Sequence, residues 1–195
     1  MSDGPSARPS LIERALAALR EDTAAIRPRQ HLFSVLSRAI PVQVGSDWRV
    51  VLLRQRGALV GAGTRIFDTP EITLGAEATD ASNLTIGRDC VIDIGCLFEI
   101  GDRLTIGDRV TLGHQVSILT TTHELGRREH RAGKLVQSPV NIQDGAWLGC
   151  RCVVLPGVTV GAGAIVEPGT VLNKDVPPHT RVGGMPAKKL EELTP

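Results

Sequence analysis

The chain has few groups suited to chemistry, chiefly five histidines and four cysteines. His123 and His130 lie in one polar stretch, Thr120-Thr121-Thr122-His123-Glu124-Leu125-Gly126, continued by Arg127-Arg128-Glu129-His130-Arg131-Ala132-Gly133-Lys134. A hydroxyl is almost wholly protonated near neutral pH and needs a base if it is to attack a carbonyl. Imidazole, with an unperturbed pKa of about 6.5, can take that proton and pass it to a leaving group. Cys150 and Cys152 are spaced to point the same way from a strand, which makes a metal pair conceivable. The second pair that a closed zinc site needs is missing. Cys90 and Cys96 stand six residues apart, at equivalent corners of a repeat rather than as a bonding pair.

These residues must be positioned by a repeat of six. Ile142, Leu148, Val154, Val160, Val166 and Leu172 follow one another at that interval without a break. Such a period matches neither a helix nor simple strand alternation, but it suits a parallel β-helix. Each short strand then gives one aliphatic side chain to a central column. Three sextets close a triangular coil, which predicts Ile142 beneath Val160, Leu148 beneath Val166 and Val154 beneath Leu172, with a rise of about 4.8 Å per coil. The same spacing recurs in Val60, Ile66 and Ile72, in Ile86, Ile92 and Phe98, and in Ile106, Leu112 and Ile118. Between these triplets the phase slips by two residues, which predicts bulged corners or small loops at Thr79-Asp80-Ala81-Ser82-Asn83 and at Gly101-Asp102. No inward residue is evident between Ile118 and Ile142, so the charged stretch reads as a loop thrown out from the coils. Trp147 precedes the inward Leu148, and alternation puts its ring outside.

The amino-terminal region has a different period. Ser10 and Glu13 make a capping box ahead of the stripe Leu11, Ile12, Ala15, Leu16 and Leu19, which predicts a helix over about 10–26. A second stripe, Leu32, Phe33, Leu36 and Ile40, stops before Pro41, and Asp47 is expected to cap a third helix through Val50–Leu53 that ends at Gly57. These helices would cover the exposed lower edge of the coils. The expected division is therefore a helical segment 1–57, an all-β helix 58–190 with its loop at 120–138, and a tail 191–195. Aromatic residues make up 3 % of the chain and there is no Tyr, as a narrow aliphatic column requires. With 22 basic and 21 acidic residues, net charge +1, there is no basic excess for a nucleic acid or an anionic membrane. No signal-like or membrane-spanning apolar run is present, which leads to an expectation of a cytoplasmic protein.

The register, with Trp147-Leu148-Gly149, the stretch PGVTVGAGA at 156–164 and NKDVPPHTRVGGMPAK at 173–188, resembles the hexapeptide-repeat acyltransferases, above all the maltose and galactoside O-acetyltransferase branch, over roughly residues 84–190. The resemblance implies a left-handed parallel β-helix that assembles as a homotrimer with its active sites between subunits. It implies acetyl-CoA as acyl donor, no metal, and direct transfer to a hydroxyl of a small-molecule acceptor. Residue by residue, it makes His123 the general base, with His130 as rival, and the backbone N–H of Cys150 the oxyanion donor. Trp147 would flank the pantetheine, while Pro168, Asn173, Lys174, Met185 and Lys188 fall on donor-contact positions, Lys189 and Arg181 being alternates for phosphate.

Two acceptor positions depart from that pattern. Asp93 stands where the sugar acetyltransferases have Asn, and Gly101 replaces an acidic residue. Asp93 could accept a hydrogen bond from a hydroxyl, bind an amine or orient His123. The acceptor class is accordingly a hydroxyl of some saccharide or small metabolite. Two other classes share the repeat: a γ-carbonic-anhydrase-like metalloenzyme, with His114, His123 and His130 as ligands, and a non-catalytic trimerisation scaffold that binds no coenzyme A.

Overall fold

The computed structural model describes residues 32, 35–37, 39–75 and 80–194. The sextet builds a triangular prism with three parallel sheets as its faces. The first face stacks Leu59–Val60, Leu84–Ile86, Leu104–Ile106, Val140–Ile142 and Thr159–Val160. The second stacks Arg65–Ile66, Val91–Ile92, Thr111–Leu112, Trp147–Leu148, Ile165–Val166 and Thr180–Gly183, with Lys188–Glu192 added antiparallel at its upper edge. The third holds Glu71–Leu74, Leu97–Ile100, Ser117–Ile118, Val153–Val154 and Val171–Leu172. The predicted register is observed: Ile142 pairs with Val160, Leu148 with Val166 and Val154 with Leu172. One residue per short strand points inward, and the column from Ile86 to Leu172 is almost wholly closed to solvent, with Ile72 below it partly buried.

The phase slips prove to be a widened corner rather than a bulge. In the second coil the strand Leu97–Ile100 carries a second inward residue, Ile100, and the next strand begins with another, Leu104; both are buried. Leu74 and Leu84 occupy the same places below, and Thr120 and Val140 above. The corner between the third and first faces is thus two inward residues wider, and this accounts for the added pair in the spacing. Of the first slip, residues 76–79 lie outside the described residues. Thr120, the one polar member of this set, is fully buried; its hydroxyl donates to Glu99 O (2.8 Å) and accepts the Asp102 N–H (3.1 Å).

From this corner the stretch expected as an irregular loop emerges as an arm of two antiparallel strands, Thr121–Leu125 and Ala132–Gln137. Thr121 faces Gln137 and His123 faces Leu135, so the ladder closes the backbone hydrogen bonds that a coil excursion would leave open. At the upper end, Lys188–Glu192 runs into the stretch expected as a free tail.

The lower end is closed by the helix Ser46–Gln55. Its N-cap is Gly45, in the left-handed region at φ 68°, rather than Asp47, which instead lies in the first turn where a negative charge suits the helix dipole. Gly57 follows the helix at φ 100°, as expected of a C-terminal glycine. The helix buries Val50 and Leu53 under the first coil, and its side chains satisfy the open edge. Arg54 Nε donates to Val60 O (3.0 Å), and Ser46 Oγ accepts the Ile66 N–H (2.8 Å). The helix expected over 10–26 lies outside the described residues.

Candidate functional site

The corner between the second and third faces turns in the same way on successive rungs. Gly95, Gln115, Arg151 and Gly169 each take a left-handed backbone, with φ of 72°, 59°, 60° and 72°. For Gln115 and Arg151 that conformation costs about 1 kcal/mol that a glycine would not incur. The turn projects the preceding residue outward, which makes a column of Ile94, His114, Cys150 and Pro168. These four, with Gln115, Arg151 and Gly169, line a groove of about 660 Å³. Arg151 Nε donates to Gln115 Oε1 (2.8 Å) and ties two rungs together.

Asp93 and His114 meet in this column. Asp93 Oδ1 accepts the N–H of Ile94 (2.9 Å), and Oδ2 lies 2.8 Å from His114 Nδ1. Cys150 Sγ is 4.0 Å from the same ring nitrogen. Within one chain the partner of Asp93 is therefore His114 and not His123. The N–H of Cys150 donates to no group among the described residues. Gly113 keeps it uncovered, since a Cβ at that position would come within 2.9 Å of Cys150 N.

His123 is held elsewhere. It is exposed on the first strand of the arm, and its Nδ1 lies 2.9 Å from Gly133 O on the second. A carbonyl only accepts, so Nδ1 carries the proton and Nε2 of the neutral ring is left with a lone pair. The root of the arm is fixed by the bond from Thr121 Oγ1 to Glu99. Within one chain the arm leaves the corner between the third and first faces, while Asp93, His114 and Cys150 share the corner between the second and third.

Trp147 stands on the outside of the second face as alternation requires, 52 % exposed, flanked in the sheet by Thr111 and Ile165. Pro168 lies one rung above Cys150 in the groove. Met185 is exposed in the turn before Lys188–Glu192, and Asn173 and Lys174 follow the last strand of the third face. Of the cations proposed for phosphate, Arg181 is held by Glu167 (2.5 Å) and Glu191 (3.0 Å), and Lys189 by Glu192. Lys174 and Lys188 make no ion pair among the described residues.

The cysteines divide by depth. Cys90, Cys96 and Cys152 are buried inside corners, whereas Cys150 is exposed, so Cys150 and Cys152 do not point the same way. Burial pushes the Cys96 thiol up to about 11, and those of Cys90 and Cys152 upward as well. Among the described residues of one chain no group of three or more His, Cys, Asp or Glu could hold a metal, so His114, His123 and His130 do not converge within a single prism. Sequence reasoning weighed His114 only as a metal ligand. Sextet arithmetic could have found it, because Gly113-His114 occupies the corner position that Gly149-Cys150 occupies on the next rung.

Comparison with known proteins bears on this geometry. The family model described as bacterial transferase hexapeptide (six repeats) matches residues 139–174. A protein of Schizosaccharomyces pombe named as an acetyltransferase is 41 % identical over 78 residues, which are 40 % of this chain and 38 % of that protein. The galactoside O-acetyltransferase of Escherichia coli is 29 % identical over 112 residues, 57 % of this chain and 55 % of that one. The chain thus spans less than two thirds of the length of the curated relatives it matches. A crystal structure of a hexapeptide-repeat-containing acetyltransferase from Vibrio cholerae superposes with a TM-score of 0.73 at 28 % identity, covering 86 % of this chain and 92 % of the other. Repeat, register and superposition agree: the chain is a left-handed parallel β-helix similar to the hexapeptide-repeat acetyltransferases.

Proposed function

We propose that the protein is an acyl-CoA-dependent O-acyltransferase, with acetyl-CoA as donor, acting on a hydroxyl of a saccharide or small metabolite. The observation that carries the proposal is the orientation of His123. Its Nδ1–H is engaged by Gly133 O, so Nε2 stands ready as a base. Nε2 takes the acceptor's proton while the hydroxyl oxygen attacks the thioester carbonyl. The N–H of Cys150 donates to the oxyanion of the tetrahedral intermediate. Collapse breaks the carbon–sulfur bond, and the CoA thiolate receives the proton from His123. The thiol of Cys150 takes no part in this direct transfer.

On the donor side, Trp147 offers a half-exposed apolar wall for the pantetheine, with Pro168, Asn173 and Met185 as further contacts. Lys174 and Lys188, free of ion pairs among the described residues, would neutralise phosphate. The Vibrio cholerae relative has also been solved in complex with acetyl coenzyme A, at 29 % identity to this chain. Asp93, paired with His114 in the groove, is assigned to the acceptor side of the site. His123 and Cys150 occupy different corners of one prism, so a complete site needs the arm of a neighbouring copy, and cyclic packing of three prisms would make three equivalent sites. Four cysteines without a disulfide suit the reducing cytoplasm, which we infer as the compartment.

The test is thiol release from acetyl-CoA against a panel of sugars, amino sugars and hydroxylated metabolites, with coenzyme A binding measured in parallel. His123→Ala is expected to lose about 10²- to 10⁴-fold in rate while still binding coenzyme A. Wild-type protein that binds no coenzyme A would overturn the donor site and favour a scaffold. A monomer by light scattering would contradict the shared site.

A further inference from the structure

His114 lies on the rung between Asp93 and Cys150, the two residues given acceptor and oxyanion roles above. It therefore sits beside the place where the acceptor must lie. Successive rungs are about 4.8 Å apart, and an oxyanion donor acts at about 2.7–3.1 Å, so a group one rung from the Cys150 N–H reaches the atoms next to the reacting oxygen rather than that oxygen itself. Asp93 is poorly placed to make the contact. Both of its oxygens are engaged, by Ile94 N–H and by His114 Nδ1, and its side chain is 23 % exposed against 51 % for His114. Donation of the Nδ1–H to Asp93 leaves Nε2 of His114, a residue that lines the groove, as an acceptor. Cohesion does not require the pair, because Arg151 and Gln115 already tie the neighbouring rungs and an exposed ion pair contributes about 0–1 kcal/mol.

We propose that His114 is a specificity-determining residue that accepts a hydrogen bond from a second hydroxyl of the acceptor, with Asp93 as its positioning residue, and that the acceptor class is accordingly a vicinal diol. One hydroxyl of the diol is the nucleophile, deprotonated by His123; its neighbour on the adjacent carbon donates to His114 Nε2. This rests on the proposed acyl transfer and replaces direct acceptor binding by Asp93 with binding through His114.

The experiment measures thiol release from acetyl-CoA with methyl glucopyranoside, methyl galactopyranoside and 1,2-cyclohexanediol, each beside its monodeoxy counterparts, and records coenzyme A affinity separately. For the diol acceptors His114→Ala is expected to raise KM about tenfold or more, with a smaller change in kcat and unaltered coenzyme A affinity. His114→Gln, which places an amide oxygen near the position of Nε2, recovers part of the loss. The deoxy compound that lacks the contacted hydroxyl shows the raised KM already with wild type, and His114→Ala adds nothing further. Equal KM values in wild type and His114→Ala, or an equal rise for every deoxy compound, would overturn the inference. Wild type that binds coenzyme A yet acylates no diol of the panel overturns it too, and leaves the donor site standing. Wild type that binds no coenzyme A removes the proposed function and this inference together.

Discussion

Two corners of the prism each carry a histidine with its Nδ1 occupied, but they are built in different ways. The corner with His114 repeats rung after rung, with left-handed residues at Gly95, Gln115, Arg151 and Gly169, and its histidine is held by a carboxylate from the coil below. The corner that launches His123 is widened by two inward residues and interrupted by the arm, and its histidine is held by a backbone carbonyl of that arm. A repeating corner can present a column of side chains at fixed spacing, which suits recognition. An interrupted corner can project a base beyond its own coils, which suits a site completed by another chain.

Mixing two inactive variants should break or sharpen this comparison most strongly. His123→Ala disables the arm. Gly113→Ala disables the other corner, since its Cβ would press within 2.9 Å of Cys150 N. Each alone is expected to fall by about 10²-fold or more. If each site takes its arm and its corner from different copies of a cyclic trimer, random reassembly of an equal mixture restores about a quarter of the sites with both parts intact. Reassembled protein whose thiol release stays at the level of the separate variants would show that both corners must be intact in the same chain.

The part of the fold set by the inward column was legible because its cause is local. One aliphatic residue per sextet must meet the same column on every rung, and the pairs Ile142 with Val160 and Leu148 with Val166 follow from that condition alone. The widened corner was not legible as such. Ile100 and Leu104 lie off the six-residue phase, and a two-residue slip gives the same arithmetic whether the added pair bulges outward or turns in; burial in the core decides for inward. Trp147 was correctly put outside by alternation, whereas the pairing of Asp93 with His114 was not among the roles left open for that carboxylate. The bond to His114 depends on which corner residues stack, and the slip between Phe98 and Ile106 obscured that stacking until the rungs were aligned. The arm was expected as a loop because a charged stretch such as Arg127–Arg131 hides the ladder formed by the residues on either side of it.

A second way to test the contrast is at the root of the arm. Thr120 is the polar member of an otherwise aliphatic set, and its hydroxyl is shared between Glu99 O and the Asp102 N–H. Thr120→Val keeps the shape and removes both bonds. The expected destabilisation is about 1–3 kcal/mol, because the Asp102 N–H loses its acceptor, and denaturant unfolding of the two proteins measures it. An unchanged midpoint would mean that the widened corner yields enough to find another partner.

The smallest expected effect concerns the remaining corner, between the first and second faces, and is read through pH. Asp108 Oδ1 accepts the N–H of Arg88 (2.7 Å), and Oδ2 pairs with its guanidinium (2.9 Å). The backbone bond first, then the side-chain bond, holds the Asp108 carboxyl below its ordinary value. A depressed carboxylate binds fewer protons in the folded chain than in the unfolded one, so its contribution is present above the ordinary range of about 3.9 and is lost as pH falls through the folded value. Asp108→Asn removes this charge and with it that part of the acid dependence. Unfolding midpoints followed from neutrality down into the acid range should therefore lie closer together for the two proteins at the acid end, with the wild type the more stable at neutral pH. Parallel curves would mean that this exposed pair contributes nothing to the corner, and that the repeating turns hold the coils in place without it.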